Sequence, residues 1–222
     1  MPDQPLLRGI DLTIMPGEKV AIIGAPASGK STLAHILLGL MPPEQGQIRF
    51  NGQRLNGRRA EALSYQTHYM GQDGMLLGDT LGEYFSAETP ETDEACLAAL
   101  NRAPLQWLAP MLPNGLHTRF DKMPARLTSA QRQMLAMARL TLTQRPIWLL
   151  DEPTSNLDGS TEKAFMELAR SRMTPATTVV LLTDRGNLLS LVDRVVVLAD
   201  GVIGFDGPRD AFTAVRANAK AG

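Results

Sequence analysis

Apolar positions along this chain fall into two alternating periods. Val20–Ile23 is a largely β-branched run that stops at Gly24, and from Lys30 to Leu40 apolar residues return at helical spacing until Pro42-Pro43. The predicted order there is strand, loop, helix. Gln47–Phe50 followed by Asn51-Gly52 predicts a strand entering a tight turn, and Thr67–Met70 a further short strand. Between about Glu91 and Met111 the strand signal disappears, with Leu97, Ala98, Leu100, Leu105 and Leu108 at helical intervals. A long helical pattern covers Thr128–Thr143, and Pro146 separates it from the apolar strand Ile147–Leu150. Thr161–Arg172 is predicted helical and Thr177–Leu182 a strand. Arg194–Leu198 and Val202–Phe205 form a predicted hairpin around Asp200-Gly201, and a final helix starts near Arg209. Strands alternating with helices imply an α/β fold with a mainly parallel sheet covered on both faces.

Composition narrows the class without changing that picture. The 222 residues suit one α/β domain with a helical insertion. The content is 44% hydrophobic and 20% charged, which is ordinary for a globular chain. A net charge of −1 gives no support to the broad basic surface of a nucleic-acid binder, so any phosphate recognition must be local. The single Cys96 excludes an internal disulfide and is expected as a small helical core residue. No run of 18 apolar residues occurs and no signal-peptide core opens the chain. The chain is therefore expected to be soluble, with any membrane role supplied by a partner or by another part of a longer polypeptide.

Candidate chemistry begins after the first strand. Gly24-Ala25-Pro26-Ala27-Ser28-Gly29-Lys30-Ser31 fits G-x-x-x-x-G-K-[ST] between a predicted strand and a predicted helix, the context that this phosphate-binding loop requires. Glycines let successive N–H groups face one anion, and the helix N-terminus adds partial positive charge. Lys30 is expected to reach the β- and γ-phosphates of ATP, and the Ser31 hydroxyl to ligate Mg²⁺. Thr32 continues the nucleotide-binding stretch. The competing reading is a glycine-rich turn that only caps a helix. Ile147–Leu150 then ends in Asp151-Glu152, which supplies the acidic element such a loop needs. Asp151 is expected to bind the metal through water and Glu152 to act as general base or to orient the water; a solvated acidic turn is the alternative. His35, His68 and His117 have no ligand-like spacing.

Between and after these motifs the chain resembles the ABC ATPase family along essentially its whole length. Tyr69-Met70-Gly71-Gln72-Asp73 is similar to that family's Q-loop, which implies that Gln72 contacts Mg²⁺ and the attacking water. Asp151-Glu152-Pro153-Thr154-Ser155-Asn156-Leu157-Asp158 resembles its Walker B and D-loop string. Leu127-Thr128-Ser129-Ala130-Gln131-Arg132-Gln133 stands where the family has LSGGQ-x-Q. The resemblance implies a P-loop NTPase sheet with flanking helices, a small N-terminal antiparallel β part and a helical subdomain. That gives one domain over 1–222, with its core at about 1–85 and 146–222 and the helical subdomain at about 86–145. It also implies a head-to-tail dimer with a second ABC ATPase domain, in which Thr128, Ser129, Ala130 and Gln131 close over ATP held by the opposite loop.

Three departures from the family pattern bear on activity. Ser129 and Ala130 replace two glycines, and any left-handed conformation there costs roughly 1–2 kcal/mol. Asp184 stands at the switch-histidine position, where a carboxylate about 4 Å from the like-charged γ-phosphate is repelled by roughly 4 kcal/mol at an effective dielectric near 20. It is expected to turn aside, to pair with Arg185, or to cap a short helix Arg185–Leu191. Only five residues precede Leu6 and none is an adenine-stacking aromatic. The first two departures lead to an expectation of weak hydrolysis, and the third to an adenine contact that is loose or supplied by residues outside this stretch.

Leu7–Leu12, Leu112–Leu116 and the stretch Leu191–Pro208 resemble exporter ATPases, above all bacterial type I secretion ones. The implied function is coupling of ATP binding and hydrolysis to transport, at the cytoplasmic face of the inner membrane through an associated or fused transmembrane domain. The alternative is a hydrolysis-deficient nucleotide-binding subunit beside an active partner. A soluble ABC-type ATPase acting on DNA or ribosomes is a third class, for which the coiled arms and basic insertions are missing.

Overall fold

The computed structural model describes residues 6–87, 91–102, 105, 108, 111–123 and 126–221. They divide into two compact units. One comprises the chain through Tyr69, Arg145–Glu152 and the stretch from Thr174 onward; the other comprises Met70–Gln144 and Pro153–Met173.

The first unit is built on a six-stranded sheet. In chain order its strands are β1 (Lys19–Ile23), β4 (Thr67–Met70), β5 (Ile147–Asp151), β6 (Thr178–Thr183), β7 (Arg194–Ala199) and β8 (Val202–Pro208). A separate hairpin is formed by β2 (Arg49–Phe50) and β3 (Gln53–Arg54). Across the sheet the order is β4-β5-β6-β1-β7-β8. The pairs β5/β6, β6/β1 and β1/β7 are parallel, and β7/β8 is antiparallel. The central strands are apolar on both faces, as strands covered on both sides must be: Val20, Ala21, Ile22 and Val179–Leu182 are all buried. Helix α1 (Lys30–Leu37) lays Leu33 and Ala34 on this core. Both hairpin turns have the left-handed pair that a two-residue turn needs, Asn51 and Gly52 in one and Asp200 and Gly201 in the other.

Helix α1 stops at Leu37, before the prolines predicted to end it. Gly39 is left-handed at φ +72°, and the N–H groups of Gly39 and Leu40 donate to Ile36 and His35 carbonyls. That double bond closes the helix three residues ahead of Pro42. Helix α2 (Gly57–Gln66), capped by Asn56, has no counterpart in the sequence prediction because only Leu63 on it is buried.

The second unit is helical: α3 (Leu81–Phe85), α4 (Asp93–Arg102), α5 (Ser129–Leu140) and α6 (Gly159–Arg172). The predicted helical stretch from Glu91 is realised in α4, but its buried face is Cys96 and Ala99, while Leu97 is half exposed. Residues 103, 104, 106, 107, 109 and 110 of that stretch lie outside the described residues. Asp158 caps α6 by accepting the N–H groups of Ser160 and Thr161, and the Ser160 hydroxyl bond, followed by the Thr161 N–H, holds its carboxyl down at about 2. The terminal α7 (Arg209–Ala221) follows β8 in the first unit.

Candidate nucleotide site

Parallel register brings the chemistry to one end of the sheet. Ile23 pairs with Thr183, and Asp151 with Leu182, so the chain leaves β1 at Gly24, β5 at Glu152 and β6 at Asp184 side by side. The Glu152 N–H extends the ladder by donating to the Leu182 carbonyl at 2.9 Å. Loops at the carboxyl ends of parallel strands are where open α/β sheets place their ligands.

From β1 the chain runs through Gly24–Gly29 into α1. Gly29, the N-cap, is left-handed at φ +98°, and no side chain caps the helix. The first-turn N–H groups of Lys30, Ser31 and Thr32 therefore point past the helix start with no side-chain acceptor, where an anion is favoured. Gly24 is required for space, since a Cβ there would run into the Leu198 carbonyl and stand 2.5 Å from Ser28 Oγ. Ala27 is left-handed at φ +64°, so the loop stores strain at a residue with a Cβ. Ser28 Oγ is buried without a hydrogen-bond partner.

Lys30 is buried, and its ammonium donates to the carbonyls of Gly24 at 2.7 Å and Ala25 at 3.3 Å. It also lies 3.5 Å from Glu152 Oε1. Glu152 is left-handed too, at φ +50°. Burial raises its carboxyl above the usual range and the nearby charge of Asp184 adds to the rise, against the pull of Lys30. Asp151 is buried at the end of β5, and Oδ1 has no hydrogen-bond partner. Burial also raises its carboxyl, with the Ser31 hydroxyl and the charges of His35 and Lys30 opposing. A buried carboxylate oxygen without a donor, beside a serine hydroxyl, is the oxygen donor set that a hard divalent cation takes. Asp151 and Ser31 thus fit Mg²⁺.

A cavity of about 620 Å³ opens against the loop, lined by Gly24–Ser28, the end of β7, the Asp200-Gly201 turn, Leu6 and Arg8. Arg8 is fixed to that turn twice: its N–H donates to the Gly201 carbonyl at 2.7 Å and its guanidinium to the Asp200 carbonyl at 2.8 Å. Sequence reading missed this wall, which joins residues 192 positions apart and carries no local motif.

Asp184 does not cap a helix. The short element is a 3-10 helix over Gly186–Leu191 with Arg185 at its cap position and no side-chain cap, and the Arg185 N–H donates to Thr183 Oγ1. Nor is strain found at Ser129 and Ala130, which both lie within helical α5 with negative φ. The left-handed cost expected there falls instead on Ala27 and Glu152.

In the second unit, Thr128 opens α5 with a reciprocal capping box: its hydroxyl accepts the Gln131 N–H at 3.2 Å, and Gln131 Oε1 accepts the Thr128 N–H at 2.8 Å. Ser129 Oγ accepts from Arg132 at 3.2 Å. Gln72 is exposed, and its carbonyl accepts from Gln133 at 2.8 Å and Asn156 at 3.2 Å.

Comparison with known proteins agrees with this geometry. Residues 7–155 match the ABC transporter family model. The ATP-dependent lipid A-core flippase of Alkalilimnicola ehrlichii is 37% identical over 199 residues, covering 88% of this chain and 33% of that protein. The type I secretion system ATP-binding protein PrsD of Rhizobium meliloti is 33% identical over 206 residues, covering 92% of this chain and 35% of that one. A bacterial Atm1-family ABC exporter solved with ATP bound superposes with a TM-score of 0.82 at 26% identity, covering 96% of this chain and 38% of that one. The chain thus spans about a third of the length of these two curated relatives, and less of others. No helix among the described residues is long and apolar enough to cross a membrane. The sheet, the loop and these likenesses place the chain in the ABC transporter family, as an ATP-binding domain homologous to those of exporters.

Proposed function

We propose that this chain is the motor domain of an exporter, binding ATP with Mg²⁺ and coupling its hydrolysis to movement of a transmembrane domain. ABC ATPases in general bind ATP, usually with Mg²⁺, and hydrolyse it. The observation that carries the reading is the buried Lys30 beside Asp151, whose Oδ1 has no donor, at the start of a helix whose first turn has no side-chain cap. The amides of Gly24–Thr32 and the Lys30 ammonium bind the phosphates. Ser31 and Asp151 hold the cation, with Gln72 as a further ligand, and the cation supplies charge neutralisation at the β- and γ-phosphates. Glu152 takes the proton of the attacking water. Base and ribose seat in the cavity against Leu6, with the Arg8 guanidinium offering a flat stacking surface.

The partner is a second ABC ATPase domain, packed head to tail so that Thr128–Gln131 meets the opposite nucleotide. The pair works at the cytoplasmic face of the inner membrane, joined to a transmembrane domain in the same or another polypeptide. Type I secretion is the favoured exporter class. Turnover is slow, because Asp184 adds negative charge beside Glu152 where the γ-phosphate also carries it. The same observation favours a second reading, a subunit that binds ATP as dimer glue beside an active partner.

Calorimetry with Mg-ATP, on the protein and on Lys30→Ala, tests the site: micromolar binding lost in the variant supports it, and equal binding by both overturns it. Phosphate release then separates the readings. Turnover abolished by Glu152→Gln marks a motor, and background release from the unmodified chain marks the glue subunit.

A further inference from the structure

Within the second unit one buried amide joins three segments. Gln133, one turn into α5, has no exposed surface. Its Nε2 donates to the Gln72 carbonyl at 2.8 Å and to Ser155 Oγ at 3.0 Å, and its Oε1 accepts the Asn156 N–H at 3.0 Å. Asn156 Nδ2 completes the ring by donating to the same Gln72 carbonyl at 3.2 Å. The next segment of chain is held as firmly. Arg132 Nε donates to the Asp73 carbonyl at 2.9 Å, and its other nitrogens bind the Leu127 carbonyl and Ser129 Oγ. Gly74, left-handed at φ +55°, lies so close to α5 that a Cβ there would stand 2.6–2.8 Å from backbone atoms of Arg132 and Gln133.

These contacts leave little freedom. A glutamine carries two amide hydrogens and a carbonyl, and here both ends are engaged on backbone groups of other segments. In a buried setting, removing that amide leaves the Asn156 N–H without its acceptor and weakens the hold on the Gln72 carbonyl, so these segments shift or admit water. The start of α5 is itself pinned by the Thr128/Gln131 box. Ser155 and Asn156 lie three and four residues past Glu152 in the chain, and Gln72 is the proposed cation and water ligand.

We propose that Gln133 is a positioning residue for ATP turnover, fixing the backbone of Gln72 and of the Ser155-Asn156 turn to the first turns of α5 as one rigid piece. Gln133 is fully buried and is not itself placed among the groups proposed to meet nucleotide or water. It acts by holding the segments that carry Gln72 and follow Glu152 in register, so its loss affects the chemical step and leaves phosphate binding by the Gly24–Thr32 loop intact. The inference rests on the ATPase reading above.

The test compares the unmodified chain, Gln133→Leu and Asn156→Ala. Mg-ATP affinity is measured by calorimetry, turnover by phosphate release, and amide protection by hydrogen exchange. Gln133→Leu is expected to bind Mg-ATP within about twofold of the unmodified chain while kcat falls about tenfold or more at unchanged KM, since a misplacement on the order of 1 Å costs up to about a hundredfold. Asn156→Ala, which removes one exposed donor, is expected to lower kcat about two- to threefold. A folded Gln133→Leu protein with undiminished kcat overturns the proposal, as does a parallel loss of affinity and kcat, which marks a general structural role. If Gln133→Leu does not fold, undiminished kcat in Asn156→Ala overturns it. If the unmodified chain neither binds nor hydrolyses Mg-ATP, the ATPase reading fails and takes the turnover role with it. The staple itself is then judged from exchange, where an Asn156 amide equally protected in Gln133→Leu shows that there is none.

Discussion

The Lys30 ammonium lies 3.5 Å from Glu152 Oε1 with both side chains largely buried, yet the Glu152 carboxyl is held above the ordinary range. Burial, with the Asp184 charge behind it, outweighs the attraction of Lys30. The folded state therefore prefers the protonated acid more than the unfolded chain does. Its ionisation penalty is fully present above the folded pKa and fades as pH falls through it. Glu152→Gln should accordingly melt higher than the unmodified protein at neutral pH, with the gap closing as the solution is acidified through the carboxylate range. A thermal unfolding series against pH checks this. A variant that melts lower at neutral pH means that the ion pair dominates.

Ala27 offers a stabilising substitution inside the phosphate loop. Its φ of +64° places a Cβ in the left-handed region, at a cost of roughly 1–2 kcal/mol. Glycine removes that cost but gives back about 0.4–1 kcal/mol through the freer unfolded chain. The net expectation for Ala27→Gly is a gain of about 0.5–1 kcal/mol, or roughly 1–3 °C in melting temperature for a chain of this size. Differential scanning calorimetry reads it, and a drop in melting temperature contradicts the strain.

Most of the fold was legible because its signals are local. Val20–Ile23 before Gly24 and the apolar run before Asp151 are strands that end in loops, and Asp200-Gly201 is a hairpin turn by composition. The parallel register that puts Gly24, Glu152 and Asp184 at one sheet edge follows from that alternation. Helix α2 was not legible, because one buried leucine gives no periodicity. The end of α1 was misassigned because Pro42-Pro43 is a louder signal than Gly39, although the glycine comes first. Asp184 misled for a different reason: an acidic residue before a short helix suggests a cap, but the 3-10 turn begins one residue later. The Leu6/Arg8 wall and the Gln133 staple join residues distant in sequence, and only the folded backbone brings them together.

The capping box at Thr128 predicts a loss confined to stability of α5. Thr128→Ala removes the acceptor of the Gln131 N–H, and Gln131 loses its reciprocal order. A cap of this kind contributes about 1 kcal/mol, so the midpoint of urea unfolding should fall correspondingly with an unchanged slope. Mg-ATP affinity of the isolated chain should stay the same, because Thr128 belongs to the proposed contact with a partner's nucleotide. Reduced affinity without a partner present contradicts that assignment.

Gly24 separates space from flexibility as the reason for a glycine. Its φ is not in the left-handed region, so alanine is conformationally acceptable; the obstacle is contact with the Leu198 carbonyl and Ser28 Oγ. Leu198 sits in β7, whose backbone is bonded to β8, so the phosphate loop must move instead. Overpacking of this sort costs about 1–3 kcal/mol, and the displaced loop no longer presents its amides to one anion. Gly24→Ala is expected to lose that stability and to weaken Mg-ATP binding about tenfold or more, a loss of at least about 1.4 kcal/mol. Gly57→Ala, at the start of α2 with nothing within 4 Å of the added methyl, is the matched control. It should gain up to about 1 kcal/mol through helix propensity and leave nucleotide affinity unchanged. If the two variants behave alike in calorimetry and urea unfolding, the close approach of β7 to the loop does not set the phosphate site.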